Sequence, residues 1–302
     1  MKNSQQTAIK RILLNTFFIL IVSETWVVWQ NAHAEDQQRE LKYIVDALWL
    51  DKQMTTHSNN LKLIDVRNQD DYKISHLPGA INFPVELSFE GSRIVSIKKI
   101  RQLFRKLGIH NSDRLVLYDD GHIKDAAHVF WMLETYGHEQ VAVLDGGLPA
   151  WQKAGYESTY EVVHYPPSRY IPTITASRLS TKMGALLSLN NPNVIIIDSR
   201  QQDEFEGRKS RAQRSGHIPK AISMTTDKLL DETSSLPKLK SLPELRSLFK
   251  DINKSSLVMS YCNRGKDSAM TYLIMRSLGY NTSVYDGGWL EWGNDMQLPI
   301  EQ

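Results

Sequence analysis

The sequence repeats itself once, and that repeat limits the possible folds more than any other feature. Leu63-Ile-Asp-Val-Arg67 returns as Ile196-Ile-Asp-Ser-Arg200, so that Asp198 answers to Asp65. His76-Leu-Pro-Gly-Ala-Ile81 returns as His217-Ile-Pro-Lys-Ala-Ile222. Leu115-Val-Leu-Tyr-Asp119 faces Leu257-Val-Met-Ser-Tyr-Cys262, and aligning Tyr118 with Tyr261 sets Asp119 opposite Cys262. Asp145-Gly-Gly-Leu-Pro-Ala-Trp151 returns as Asp286-Gly-Gly-Trp-Leu-Glu-Trp292 with identical internal spacing. Two units, each far longer than the roughly 20–50 residues of a solenoid repeat, make a duplicated domain rather than an array.

Within each copy short apolar, β-branched runs (61–66, 115–118, 141–144; then 194–198, 256–261, 282–285) alternate with helix-period stretches (97–107, 126–136, 242–250, 268–278). That alternation is the pattern of parallel strands joined by helical crossovers. The expected fold class is therefore α/β: two tandem domains, each a small parallel sheet flanked by helices. The domains are expected at 38–155 and 173–302, joined by a linker at 156–172 that carries Pro166, Pro167 and Pro172.

Lys2, Lys10 and Arg11 precede an apolar run at 12–22, and Ala32 and Ala34 supply the small residues of a cleavage site. This order predicts a signal peptide at 1–34 and a periplasmic or secreted mature protein. The run is shorter than the roughly 20 residues of a membrane span. An anchor extended through Trp26 to Trp29 is the alternative, so the mature chain has no membrane span unless the signal stays uncleaved. With 36 Lys+Arg against 34 Asp+Glu, the chain has no broad basic footprint, and nucleic acid is excluded as a partner.

The chain has one cysteine, which excludes intramolecular disulfides and multi-cysteine metal sites. Cys262 opens the loop Cys262-Asn-Arg-Gly-Lys-Asp267 between a strand and a helix expected to start at about Ser268. Ligands of parallel sheets collect beyond the carboxyl ends of strands. A lone cysteine there is ordinarily a small buried apolar residue, but Arg264 and Lys266 are expected to lower its pKa. Gly265 lets backbone N–H groups converge on an anion. Asn263 and Asp267 complete the loop, and Asp198 and Arg200 are expected to support it. His76 and His217 occur in both copies whereas the nucleophile occurs in one, so they are read as packing residues. Trp289 and Trp292 are read as core anchors. No histidine spacing suggests a metal. The stretch from Arg200 to His217 is longer than its counterpart from Arg67 to His76, and the extra segment holds Arg208, Lys209, Arg211 and Arg214. It either steers anions or is a solvated basic loop.

Taken in order, the Asp-x-Arg strand ends, the Gly-His-Ile-Pro stretch at 216–219, the loop 262–267 and Asp-Gly-Gly-Trp-x-x-Trp at 286–292 resemble a tandem-domain rhodanese over residues 40–295. The resemblance implies a silent N-terminal copy, in which Asp119 replaces the cysteine, and an active C-terminal copy. It implies a thiosulfate sulfurtransferase, or alternatively a 3-mercaptopyruvate sulfurtransferase. Cys262 would carry the sulfur as a persulfide, Arg264, Gly265, Lys266, Asn263 and Asp267 would bind the anionic donor, and a thiophilic acceptor such as cyanide or a thiol would remove the sulfur. No cofactor and no metal are implied. The silent loop has no cation at the third or fifth position, where Gly121 and Ile123 stand. Glu204 stands where two-domain rhodaneses typically carry a substrate-binding arginine. Ser268 stands where a related Cys-x5-Arg phosphatase needs its arginine, which argues against that activity. A non-catalytic sulfur carrier or partner-binding module is the remaining alternative.

Overall fold

The structure, a computed structural model, describes residues 43–56 and 60–302, so the expected signal peptide lies outside the described residues. The first copy contains β1 (Ile44–Val45), α1 (Ala47–Thr55), β2 (Leu61–Asp65), α2 (Gln69–Ile74), β3 (Ile81–Asn82), the hairpin strands β4 (Phe89–Glu90) and β5 (Arg93–Ile94), α3 (Ile97–Lys106), β6 (Arg114–Tyr118), α4 (Lys124–Thr135), β7 (Val141–Leu144) and α5 (Gly147–Lys153). The second contains β8 (Leu179–Ser180), α6 (Lys182–Ser188), β9 (Val194–Asp198), α7 (Gln202–Phe205), β10 (Ile222–Ser223), α8 (Leu242–Leu248), β11 (Leu257–Tyr261), α9 (Lys266–Ser277), β12 (Asn281–Tyr285) and α10 (Gly288–Trp292).

Five parallel strands form each sheet, ordered β1-β7-β6-β2-β3 and β8-β12-β11-β9-β10, the same order in equivalent strands. The fold is thus α/β with two tandem copies, as the repeat predicts. In β9 and β11 the register pairs Asp198 with Tyr261, which sets the Asp-x-Arg strand end beside the residue preceding Cys262.

Surface helices are one-sided: α3 buries Ile100 and Phe104, one turn apart, and exposes most of its charged residues. By contrast α4 and α9 are buried nearly all round, because each lies on its own sheet and also packs against the other helix. That pairing joins the two copies. The linker is not a free spacer. Thr159 exchanges two backbone hydrogen bonds with His76 at 2.8 Å, and Tyr170 is buried against Phe104. The C-terminal tail straps the second copy in the same way, Glu301 pairing with His217.

Candidate active site

The site is braced from beneath by fully buried groups. Tyr261 Oη donates to Asp198 Oδ2 at 2.6 Å and accepts from the Ile218 N–H at 3.0 Å. Arg200 grips Asp198 through Nε at 3.0 Å, donates to the Gly216 carbonyl at 2.7 Å and lies 4.3 Å over the Trp289 ring. Asp198 and Arg200 therefore tie the strand end to the Gly-His-Ile-Pro turn, without a hydrogen bond to Cys262. His217 stacks on Phe205, its Nδ1 bonded to the Phe205 carbonyl, and His76 stacks likewise on Tyr72. Trp289 and Trp292 are fully buried.

Cys262 lies at the floor of a pocket of about 400 Å³, only 1% exposed. The Gly265 N–H points at Sγ from 3.1 Å, and the Ser268 hydroxyl lies 3.5 Å from it. Gly265 reaches this position at φ 100°, and a Cβ there would press on His128 at 3.3 Å. Gly288 explains the Asp-Gly-Gly motif: a side chain at that residue would collide with the Cys262 carbonyl, which instead accepts from the Trp289 N–H at 2.7 Å.

Two expectations about the loop are corrected. Helix α9 begins at Lys266 rather than Ser268, which places Lys266 and Asp267 in its first turn. The thiol pKa is pushed up, not down. Burial is the main cause and Asp267 adds to it, opposed by the Ser268 hydroxyl and the Ser268 and Arg264 N–H groups. The loop cations are spent elsewhere. Arg264 donates to the Gly91 carbonyl at 2.9 Å and lies 5.3 Å over the Phe89 ring, while Lys266 pairs with Asp125 at 2.7 Å. Both still line the pocket.

The first copy walls that pocket with Glu86, Phe89 and Lys124, the last paired with Asp267 at 2.8 Å. Behind Gly265 lies His128, fully buried and stacked on Phe89 at 4.1 Å, with no hydrogen bond to either ring nitrogen. Glu204 is buried, accepts from Asn263 Nδ2 at 2.9 Å and faces Arg211 Nε at 3.5 Å. Arg211 is the one member of the basic segment that lines the Cys262 pocket. Arg208 and Lys209 pair with Asp203, and Arg214 holds the Trp292 and Leu298 carbonyls.

In the first copy the carboxylate of Asp119 occupies its own cradle, accepting from the N–H groups of Gly121 (2.9 Å), Ile123 (3.1 Å) and Ala126 (3.2 Å). Burial raises it to about 6. The loop is also one residue longer before its helix. As a result Lys124 heads α4 as Lys266 heads α9, so this copy does have a counterpart of Lys266, which the position-by-position reading missed, while Gly121 still stands in place of Arg264.

Sequence reasoning missed Lys124 and Asp125. The repeat carried a signal for them, since the same Lys-Asp dipeptide stands at the head of each helix, as Lys124-Asp125 and as Lys266-Asp267. Glu86, Phe89 and His128 had no local signal, because only the packing of the copies brings them to the loop.

The family model for the rhodanese-like domain matches residues 46–154 and 184–295. The chain is 31% identical over 277 residues to the thiosulfate sulfurtransferase of Corynebacterium glutamicum, covering 85% of this chain and 90% of that protein. It is 27% identical over 294 residues to the 3-mercaptopyruvate sulfurtransferase of Escherichia coli K12, covering 93% and 99%. Among solved structures, the Escherichia coli 3-mercaptopyruvate sulfotransferase SseA aligns with a TM-score of 0.71 at 26% identity over 82% of this chain and 98% of that one. A complex of an EanB variant with ergothioneine aligns at 0.78 and 20% identity, over 88% and 71%, a likeness of fold.

Proposed function

The chain belongs to the rhodanese family of sulfurtransferases, as a tandem of two rhodanese-like domains, and from that premise we propose that it moves a sulfane sulfur from thiosulfate through a Cys262 persulfide to a thiophilic acceptor. The observation that carries the reading is the set of N–H groups turned on the chain's single Sγ. The Cys262 thiolate attacks the outer sulfur of thiosulfate. A Sγ–S bond forms, the donor's S–S bond breaks, and its electron pair leaves with sulfite. Negative charge then rests on the outer sulfur of the persulfide, where loop N–H groups, Arg264 and Arg211 favour it. With no second cysteine, an external acceptor such as cyanide or a thiol must take the sulfur. The first copy acts as a wall, its cradle filled by Asp119.

Four cations against three carboxylates line the pocket, a balance that supports the dianion thiosulfate over the monoanion 3-mercaptopyruvate. Lys266 contributes less than its charge because Asp125 neutralises it. Parallel kcat/KM measurements with both donors test the choice: a higher value for thiosulfate is expected, and an equal or higher value for 3-mercaptopyruvate contradicts it. Turnover of neither donor would favour a non-catalytic sulfur-carrier or partner-binding role. Export with cleavage after Ala34 is part of the same reading. It rests on the charged, apolar and small-residue order at 1–34 and is tested by N-terminal sequencing of the extracytoplasmic protein.

A further inference from the structure

We propose that His128, contributed by the silent copy, is a positioning residue for the Cys262 loop: its ring N–H takes over the Gly265 carbonyl when the Ser268 hydroxyl turns to the Cys262 thiolate, a role that rests on Cys262 being the nucleophile. Packing alone does not call for an imidazole here. His128 is fully buried and both of its ring nitrogens lack a partner, an arrangement that costs stability. At the equivalent position of α9 stands Met270, so a side chain of similar bulk with no polar atom to satisfy suits the pairing of the two helices.

The ring is wedged between the β4–β5 hairpin and the loop. Phe89 stacks on it at 4.1 Å and Trp131 meets it edge-on at 5.6 Å. A Cβ on Gly265 would lie 3.3 Å from Cε1 and 3.4 Å from Nδ1, so the Nδ1 edge of the ring faces the Gly265 peptide. Burial, with Lys266 and Arg264 facing the ring, holds it neutral, and the Gly265 backbone is the one neighbour that favours a proton on it. A neutral imidazole carries one N–H, and here that donor is unused.

Ser268 is the residue that this donor can relieve. Its hydroxyl has one proton and two acceptors in reach, the Gly265 carbonyl at 3.2 Å and Cys262 Sγ at 3.5 Å. Against a neutral thiol the carbonyl is the nearer and better acceptor. Once the thiol has given its proton to solvent, the charged sulfur is the stronger one, and the hydroxyl turns to it. That turn leaves the Gly265 carbonyl with the Ala269 N–H alone, at 2.9 Å. The spare N–H of His128 makes good the loss, so the thiolate gains a hydrogen bond and no carbonyl is left short of a donor. The silent copy thereby favours the charged nucleophile without touching it.

A single cysteine makes the test direct, because the rate of alkylation by iodoacetamide at neutral pH follows the thiolate of Cys262 and of no other thiol. Wild type, His128→Met, Ser268→Ala and the double variant are compared. Arg264, Lys266, Asp267, Glu204, Arg211, Glu86 and Lys124 face the pocket in all four, so their influence cancels. Each single variant is expected to react about fivefold more slowly, and the double variant no more slowly than Ser268→Ala, since His128 acts only through that hydroxyl. An unchanged rate in His128→Met, or losses that multiply in the double variant, overturns the assignment. His128→Gln keeps an uncharged N–H donor and decides the matter even where the methionine variant does not fold: a rate close to that of the wild type supports the role, and a fivefold loss overturns it. Single-turnover sulfite release from thiosulfate is followed in parallel. Its absence in the wild type brings down the sulfurtransferase reading, while the alkylation rates decide the part played by His128 on their own.

Discussion

Glu134 and Arg276 occupy equivalent positions of α4 and α9 and bond to each other: Arg276 Nη2 lies 2.7 Å from Oε1 and Nε 3.0 Å from Oε2. A residue that meets its own counterpart marks a two-fold arrangement of the copies, the logic of an isologous dimer within one chain. The same reciprocity appears in Lys124–Asp267 with Lys266–Asp125. It appears again where Asp145 accepts from the Leu239 N–H of the second copy and Asp286 from the Ile94 N–H of the first. The helix start that follows Cys262 therefore faces the helix start of the silent copy.

Breaking that central pair should cost stability, because each partner is largely buried and Tyr272 Oη also donates to Glu134 at 2.6 Å. Arg276→Met alone is expected to lose about 3 kcal/mol in urea unfolding, since it strands a buried carboxylate. Adding Glu134→Leu to Arg276→Met should recover most of the loss. No recovery would show that the loss does not come from a stranded carboxylate.

The raised thiol pKa sets the pH dependence of the first half-reaction. Below that pKa the thiolate fraction climbs about tenfold per pH unit. Single-turnover sulfite release should therefore rise through neutral and alkaline pH. Asp267→Asn removes a charge that disfavours the thiolate and frees Lys124, so the profile should move to lower pH and the neutral rate should increase. An unmoved profile contradicts this assignment.

His128 carries a separate pH signature. Burial, aided by Lys266 and Arg264, lowers it to about 3 from an ordinary 6.5. Between those values the unfolded imidazole binds a proton that the folded one does not, so stability falls as pH drops below about 6.5. The loss is roughly 2 kcal/mol by pH 5 at about 1.4 kcal/mol per unit. Asp119, Asp145 and Asp286, each raised to about 6, slope the opposite way but remain in both proteins under comparison. At the equivalent position of α9 stands Met270, so His128→Met suits the packing. Its unfolding free energy should lack the His128 component between pH 6.5 and 5.

Asp119→Cys placed in a Cys262→Ser background should not restore sulfur transfer. Its loop is one residue longer, and its N–H groups at 121, 123 and 126 are spaced for two carboxylate oxygens rather than one sulfur. Recovered turnover in the double variant would show that the copies differ in one residue only.

The duplication, the sheet pattern and the position of the Cys262 loop were legible in the sequence, because strands, turns and repeated motifs are encoded locally. The direction of the thiol's shift was not. Arg264 and Lys266 look like free cations until the β4–β5 hairpin and Asp125, distant in sequence, are brought against them. Glu204 reads as a misplaced charge until Asn263 and Arg211 are seen to satisfy it. In each case the missing information was the contact between the copies or between loops, which residue spacing alone does not contain.

Sulfur transfer by this protein requires that Cys262 itself receive the sulfur. Intact-mass measurement of the purified protein after exposure to thiosulfate and removal of excess donor decides this. The wild type should gain the mass of one sulfur atom, located on the peptide containing Cys262 and lost on adding cyanide, and Cys262→Ser, folded as before, should gain none. A wild type of unchanged mass, or a Cys262→Ser variant that still acquires a cyanide-labile sulfur, would contradict the account.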